Sequence, residues 1–228
     1  MDIVGEETLK TMKLVSWYNS WLLGIMKPYL GETILEIGSG IGNFTFDLAK
    51  LGHVWAIDIN SDYIHTLKKK ESERVHVGFG DIESGKVFFK NRQFDSIVCL
   101  NVLEHIKKDH NALKNMHLLL KKGGKLILLV PAHQRLYSNF DKELGHFRRY
   151  TRQSASQKIK DAGFSKVDTR YLNWVAALGW FVFMKLLQKK RIPEEEVKTF
   201  DSLGKFLLLP EKFIKLPFGL SVLAIAEK

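Results

Sequence analysis

The sequence predicts an α/β fold: a doubly wound, mostly parallel sheet of seven strands with helices on both faces. Three observations carry that expectation. Short apolar runs alternate with stretches of helical periodicity between residues 34 and 130. The first four runs end in ligand-type residues, at Gly38, Asp58, Asp81 and Asn101, and open α/β sheets bind ligands outside those carboxyl ends. The first run also breaks into glycines at every second position, Gly38, Gly40 and Gly42, which reads as a tight loop ahead of a helix.

At 228 residues the chain fits one domain with an elaboration. We expect an N-terminal helical segment at 1–30 and a main domain at 31–228, with a helical insert at 175–217. A single cysteine, Cys99, set in an apolar run, excludes an internal disulfide framework and suits a reducing compartment. Residues 1–12 lack the basic-then-apolar order of an export signal, so the expected location is cytoplasmic, or peripheral to the inner face of a membrane. The net charge of +10 suits an acidic partner such as nucleic acid, anionic lipid or a phosphorylated substrate. It equally suits a plain basic surface with dispersed lysines.

In order along the chain, Leu9, Met12, Leu14, Trp17, Trp21, Leu22, Ile25 and Met26 recur at helical spacing, and Pro28 and Gly31 close that lead-in. Strand one is 34–37, and the glycine loop follows it. The third glycine of a dinucleotide-binding fingerprint would fall at Asn43, so that fingerprint is not met. A helix at 44–50 and strand two at 53–58 come next. A carboxylate closing the second strand can accept both ribose hydroxyls of an adenosine, which makes Asp58 the expected ribose clamp. Then come a helix at 62–70, strand three at 74–81, strand four at 94–100, a helix at 109–121 ending in Lys121-Lys122-Gly123, and strand five at 125–130 stopped by Pro131.

Residues 131–151 are a long polar loop with His133, His146, Arg135, Arg148, Arg149, Tyr137, Tyr150, Asp141 and Glu143, leaving the sheet at its ligand end. Thr151 suits the N-cap of a helix at 152–162, and 164–174 reads as strand six. The 174–187 stretch is apolar all round except Lys185, but it falls short of the roughly 20 residues a bilayer span needs. A second apolar stretch, 203–216, follows the acidic turn at Pro193. Together they are expected to form a lid, a helical hairpin packed on the sheet or at a dimer contact, or a membrane-facing pair. In the last case Lys185, Lys189, Lys190, Arg191, Lys205, Lys212 and Lys215 would reach acidic headgroups. Strand seven is 220–226.

Glu36-Ile37-Gly38-Ser39-Gly40-Ile41-Gly42 resembles motif I of the class I S-adenosylmethionine-dependent methyltransferases, Glu-x-Gly-x-Gly-x-Gly. Gly80-Asp81-Ile82 resembles that family's adenine corner, Phe94-Asp95 its entry to strand four, and Asn101 to Ile106 its segment after that strand. The Asp-x-x-x-Gly-His-x-Arg-Arg-Tyr run, from Asp141 through Gly145 and His146 to Arg148, Arg149 and Tyr150, resembles a subgroup of bacterial and archaeal methyltransferases often found with cell-envelope or lipid glycosylation functions. The resemblance implies a Rossmann-like sheet with an antiparallel last strand. It also implies S-adenosylmethionine as cofactor, S-adenosylhomocysteine as product, and a binding set of Glu36, Gly38, Ser39, Gly40, Gly42, Asp58, Ile59, Asp81, Ile82 and Asn101. In the related quinone O-methyltransferases a Glu-x-x-Glu-His run is associated with a divalent metal. Here Asn101 replaces the first acid, so no metal is expected, and Glu104 and His105 are expected to be structural.

The implied reaction is methyl transfer to a small-molecule or lipid-linked acceptor, at oxygen. A base for the acceptor proton would be His146 or His133. Tyr18, Tyr137, Arg148, Arg149 and Tyr150 are the expected substrate contacts, the arginines for a carboxylate or phosphate. Two other function classes compete. A nucleic-acid enzyme or binding module fits the charge, but the Asn/Asp-Pro-Pro-aromatic motif of base-methylating enzymes is absent where Asn101-Val102-Leu103 stands. The other is a non-catalytic peripheral membrane protein that keeps a nucleoside fold.

Overall fold

The computed structural model describes residues 3–188, 194–212 and 214–228. One sheet runs through it, from β1 (Thr33–Ile37), β2 (His53–Asp58), β3 (Val75–Asp81), β4 (Lys86–Val87), β5 (Phe94–Leu100), β6 (Leu120–Pro131), β7 (Ser165–Leu172) and β8 (Ser221–Glu227). The spatial order is β4-β3-β2-β1-β5-β6-β8-β7. β1 pairs in parallel with both β2 and β5, and β8 runs antiparallel to β6 and β7. Strand order therefore reverses between β1 and β5, and the crevice beyond their carboxyl ends is where such sheets bind ligands.

Period-two alternation sorts the strand side chains into two apolar layers. Leu35, Ile37, Ile57, Ile97, Cys99 and Leu128 face one side, packed against α5 (Asp109–Leu119) and α7 (Arg152–Asp161) through Leu113, Met116 and Ile159. Ile34, Val54, Ala56, Val98, Ile127 and Leu129 face the other. They are covered by Leu22 and Met26 of α2 (Ser16–Met26) and by Ile64 and Leu67 of α4 (Ser61–Lys68). Fully burying a side chain of this size is worth roughly 1.5–3 kcal/mol, so the two layers hold the sheet between its helices.

The structure differs from the sequence expectation in four places. The sheet has eight strands rather than seven, because Lys86 and Val87 fold back on Asp81 and Gly80 as a short antiparallel edge. The lead-in is two helices, α1 (Ile3–Lys13) and α2. Leu14 closes a turn on Thr11, and α2 is then capped from afar, with the Trp17 and Tyr18 amides donating to the Asp201 carboxylate at 3.2 and 3.0 Å. α3 (Thr45–Leu48) is a single turn. β6 begins at Leu120 and α5 ends at Leu119, since the Lys121 to Gly124 stretch runs on as extended strand.

The insert contains α8 (Trp174–Trp180), a π-helical turn (Phe181–Leu186), α9 (Glu194–Leu207) and a 3-10 turn (Leu209–Lys212). A second carboxylate anchors it: Glu211 accepts from the amides of Asn173 and Trp174 at 3.0 and 2.8 Å, at the start of α8. Lys189, Lys190, Arg191 and Pro193 lie outside the described residues. No helix among the described residues is long and apolar enough to cross a membrane.

Candidate functional site

At the end of β1 the Gly38 amide donates to the Ile57 carbonyl (2.8 Å), and the Gly40 amide donates to Asp58 Oδ2 (2.8 Å). The other Asp58 oxygen accepts from the Asn60 amide (2.8 Å). Burial raises the Asp58 pKa, and these backbone donors work against the rise. Gly38 has φ +72°, and a Cβ there would run into the Val102 side chain that follows β5. The loop thus needs glycine both for its backbone and for the close approach across the crevice. α1 lies over it: Leu9 packs beside Gly40, and the Leu9 carbonyl accepts from Asn43 Nδ2 at 3.1 Å.

Glu36 sits beneath the loop, buried, and accepts from Thr45 Oγ1. Burial pushes its pKa up to about 8, with the Thr45 bond opposing and the Asp58 charge adding. Ser39 is buried, Ile59 is 70% exposed at the end of β2, and Ile82 is in the core between sheet and helices. Asp81 caps its own turn, accepting from the Glu83 and Ser84 amides at 2.9 and 3.3 Å. Asn101, just after β5, has φ +53°, a left-handed conformation that asparagine tolerates better than most residues, and its backbone amide donates to the Leu129 carbonyl at 2.8 Å.

Opposite the glycine loop, the 131–151 segment is folded tightly. It is tied to the turn after β5 by the Phe147 amide, which donates to the Glu104 carbonyl at 2.8 Å. α6 (Asn139–Glu143) starts with a capping box, Ser138 and Asp141 bonding reciprocally. Asp141 is its centre. Both carboxylate oxygens accept from Arg149, Nε to Oδ1 at 2.8 Å and Nη2 to Oδ2 at 3.1 Å, and Oδ1 also lies 2.9 Å from His146 Nδ1. Burial opposes the Asp141 charge, but the His146 and Arg149 bonds win and hold its pKa at about 2. The Arg149 guanidinium lies 4.5 Å from the Trp180 ring centroid, so this network also fixes α8.

With Nδ1 engaged by Asp141, His146 turns Nε2 toward Glu104 Oε1, 4.0 Å away. Glu104 is fully buried, and neither carboxylate oxygen has a hydrogen-bond partner among the described residues. Burial raises its pKa to about 8. The His105 ring meets His146 edge-on at 4.5 Å, and ligand atoms of Glu104, His105 and His146 lie within 4.8 Å of one another.

Several expected substrate contacts are occupied by internal partners. The Arg149 fork holds Asp141, and Arg148 pairs with Asp109 Oδ2 (2.8 Å) while donating to the Lys107 carbonyl (3.0 Å). Neither presents a free fork to an anion. Tyr150 is 2% exposed and its hydroxyl donates to Asp109 at 3.1 Å, so it is a core residue rather than a substrate contact. Tyr18 is buried between α2 and the insert against Trp21 and Phe200, and burial raises its pKa to about 12. Tyr137 donates to the His146 carbonyl at 2.6 Å, which steadies the loop. His133 is stacked on Tyr171, with φ +60°, apart from the Glu104 cluster. The sequence reading missed Asp141 as the organiser of His146. Its signal was the Asp-x-x-x-Gly-His spacing, which sets acid and imidazole across one tight turn.

Residues 35–128 match the family model described as a methyltransferase domain. Over 101 residues the chain is 34% identical to the ubiquinone biosynthesis O-methyltransferase of Coxiella burnetii, covering 42% of each protein. It is 28% identical over 106 residues to the ubiquinone/menaquinone biosynthesis C-methyltransferase of Vibrio cholerae, covering 43% of this chain and 41% of that one. The chain thus spans about two fifths of the curated relatives it matches. Among solved structures, an S-adenosylmethionine-dependent methyltransferase of Thermotoga maritima superposes with a TM-score of 0.66 at 18% identity, over 97% of this chain and 94% of that one. Phosphoethanolamine N-methyltransferase 2 of Haemonchus contortus, solved in complex with S-adenosyl-L-methionine, gives 0.64 at 18% identity, over 92% of this chain and 52% of that one. These likenesses establish a methyltransferase-type fold.

Proposed function

We infer that this chain, whose residues 35–128 carry the methyltransferase domain, binds S-adenosylmethionine in the crevice beyond β1 and passes the methyl group to an acceptor held against the 131–151 loop. The observation that carries this reading is the convergence of two unlike structures on one switch point. On one side Asp58 is braced by the Gly40 amide; on the other, Glu104, His105 and His146 stand on segments tied together by the Phe147–Glu104 bond. The carboxylate of Asp58 takes the ribose hydroxyls, the backbone around Gly38 to Gly42 lies along the methionine part with Asn101 beside it, and Ile59 and Asp81 border the adenine.

Methyl transfer is an in-line displacement. The acceptor's lone pair attacks the methyl carbon, the carbon–sulfur bond breaks, and its electrons return to sulfur to leave S-adenosylhomocysteine. The chain's task is alignment and removal of the acceptor proton. Of the two histidines expected to serve the acceptor, His146 has the geometry for it, since Asp141 fixes its tautomer and leaves Nε2 facing the cluster.

A lipid-linked acceptor is favoured over a freely soluble one by the surface beside this loop. Leu178, Phe181, Leu186, Leu187, Phe206 and Ile214 of the insert are between 45 and 67% exposed, a large apolar area for one surface segment. α8 adjoins the acceptor loop through Trp180, whose indole donates to the Leu136 carbonyl at 3.1 Å. Relatives that act in quinone biosynthesis, by O- and C-methylation, are compatible with an apolar small-molecule acceptor. The test is calorimetric titration with S-adenosylhomocysteine, followed by transfer of a labelled methyl group to a lipid extract and to its water-soluble counterpart. Binding abolished by Asp58→Ala, and label entering the lipid fraction, are the expected results. Absence of binding would sink the cofactor assignment, and label confined to the soluble fraction would sink the lipid one.

A further inference from the structure

We propose that Arg152, His133 and Tyr171 form a subsite for a phosphate group at the edge of the 131–151 loop. The arginines expected to meet such a group, Arg148 and Arg149, are taken by Asp109 and Asp141, whereas the next arginine along the chain is not. Assigning the phosphate to the methyl acceptor rests on the methyl-transfer reading; the subsite itself does not.

Tyr171 gathers the set. The His133 ring stacks on it, with centroids 4.5 Å apart and planes at 25°, and the Arg152 guanidinium carbon lies 5.8 Å from the same centroid. Backbone bonds bring the two segments side by side: the Tyr150 amide donates to the Pro131 carbonyl at 2.8 Å, and the His133 amide to the Tyr150 carbonyl at 2.7 Å. Arg152 Nε and His133 Nε2 are both buried without a hydrogen-bond partner among the described residues, a cost that a ligand oxygen would remove. No acid pairs with either side chain among those residues. Burial and then the Arg149 charge lower the His133 pKa, the response of an imidazole near a cation with no anion beside it. His133 also has φ +60° and ψ 103°, outside the usual regions for a residue other than glycine, and strain of this kind persists where a side chain must be aimed.

Chemistry and position choose the ligand. An arginine fork takes two oxygens of an anion through parallel N–H groups, and a phosphate ester keeps a third oxygen for the imidazole N–H. Pro131 and Leu172 both pair with Ser221, so β6 and β7 end together, at the ligand end of the sheet. The insert starts two residues beyond Leu172, at Trp174, and carries the exposed Leu178, Phe181, Leu186 and Leu187. A cationic subsite beside an apolar surface suits the two halves of a lipid phosphate. Arg152 and His133 bind and orient in this arrangement, and His146 remains the residue placed to take the acceptor proton.

The full chain is titrated at fixed ionic strength with inorganic phosphate, with acetate, and with a short isoprenyl phosphate kept below its micelle concentration. Expected is saturable phosphate binding, at least about tenfold tighter than acetate, that falls at least about tenfold in Arg152→Gln. His133→Asn, which keeps a residue tolerant of positive φ, should lose at least about threefold. Lys160→Gln removes the same charge from an exposed position of α7 and should change affinity by less than about twofold. Absence of saturable binding, preference for acetate, or equal losses in Arg152→Gln and Lys160→Gln would each overturn the subsite. Tighter binding of the isoprenyl phosphate than of inorganic phosphate assigns the group to a lipid acceptor. Equal affinities assign it to free phosphate and overturn the acceptor link. S-adenosylhomocysteine is titrated into the same samples. Its failure to bind beside normal phosphate binding would defeat the methyl-transfer reading alone, and the converse result would defeat the subsite alone.

Discussion

The two sides of the crevice are built from different materials. The glycine-loop side is mostly main chain: three glycines, the amides of Gly40 and Asn60, and one carboxylate, Asp58, that joins them. The 131–151 side is a network of side chains, Arg149, Asp141, His146 and Glu104, drawn from segments on either side of β6. Both sides bury carboxyl groups, and two of these, Glu36 and Asp141, respond oppositely. Glu36, with a single hydroxyl donor, is pushed up to about 8, whereas Asp141, with a guanidinium and an imidazole, is held at about 2. Burial alone does not set the charge of a buried acid; the number and charge of its donors do. The glycine-loop side tolerates a neutral acid beneath a backbone loop, while the 131–151 network depends on Asp141 staying charged.

The largest effect should follow from breaking that dependence. In Asp141→Ala the Arg149 guanidinium, whose side chain is 1% exposed, is left buried without its charge partner. Removing one member of such a pair costs about 3–5 kcal/mol, so the denaturant midpoint should fall steeply or the chain should fail to fold. A loss below about 1 kcal/mol would mean that the network is not what holds the loop.

Glu36→Gln probes the other acid. Its folded pKa of about 8 lies above the usual value of 4.5, so the fold favours the protonated form. The stability it contributes is full below the ordinary carboxylate range and is lost as pH rises through about 8. Glutamine cannot ionise. The variant should therefore gain on the parent between pH 5 and pH 9, on the order of 2 kcal/mol after relaxation of the buried charge, read from melting curves at the two pH values. A gain that runs the other way would show that Glu36 is charged in the fold.

Asp58→Ala should leave the fold nearly intact and act on ligand affinity. Loss of a charge-assisted bond of this kind costs about 1.5–3 kcal/mol, or roughly 10- to 100-fold in binding of S-adenosylhomocysteine. An unchanged affinity would mean that Asp58 does not meet the ligand.

The contrast also explains what the sequence made legible. The parallel sheet, the glycine loop and the carboxylate at the end of β2 are written in local patterns, apolar alternation and glycine spacing, and the structure has these elements where those patterns fall. β4 has only two residues, Lys86 and Val87, too few for any periodicity to register. The break between α1 and α2 is invisible locally, because the carboxylate that caps α2 is Asp201, 184 residues away from Trp17. In the 131–151 loop the chemistry was legible as composition but the pairing was not. Arg148, Arg149 and Tyr150 look free in sequence, and only the fold brings Asp109 and Asp141 to them. A group that bonds internally and a group that bonds a substrate have the same sequence signature, and tertiary contact alone separates them.

The smallest predicted effect bears on this separation most directly. Tyr137 donates to the backbone carbonyl of His146, the residue whose ring faces Glu104, and makes no hydrogen bond to Asp141 or Arg149 among the described contacts. Removing the hydroxyl in Tyr137→Phe should cost about 1 kcal/mol of stability and leave S-adenosylhomocysteine affinity as it was. Because the bond fixes the main chain from which the imidazole hangs, a loosened His146 should lower methyl transfer by more than the lost stability explains, with the cofactor still saturating at the same concentration. If Tyr137→Phe instead weakens cofactor binding and transfer together, the division of the crevice into a main-chain side and a side-chain side fails. The 131–151 loop would then have to be counted as part of the cofactor site.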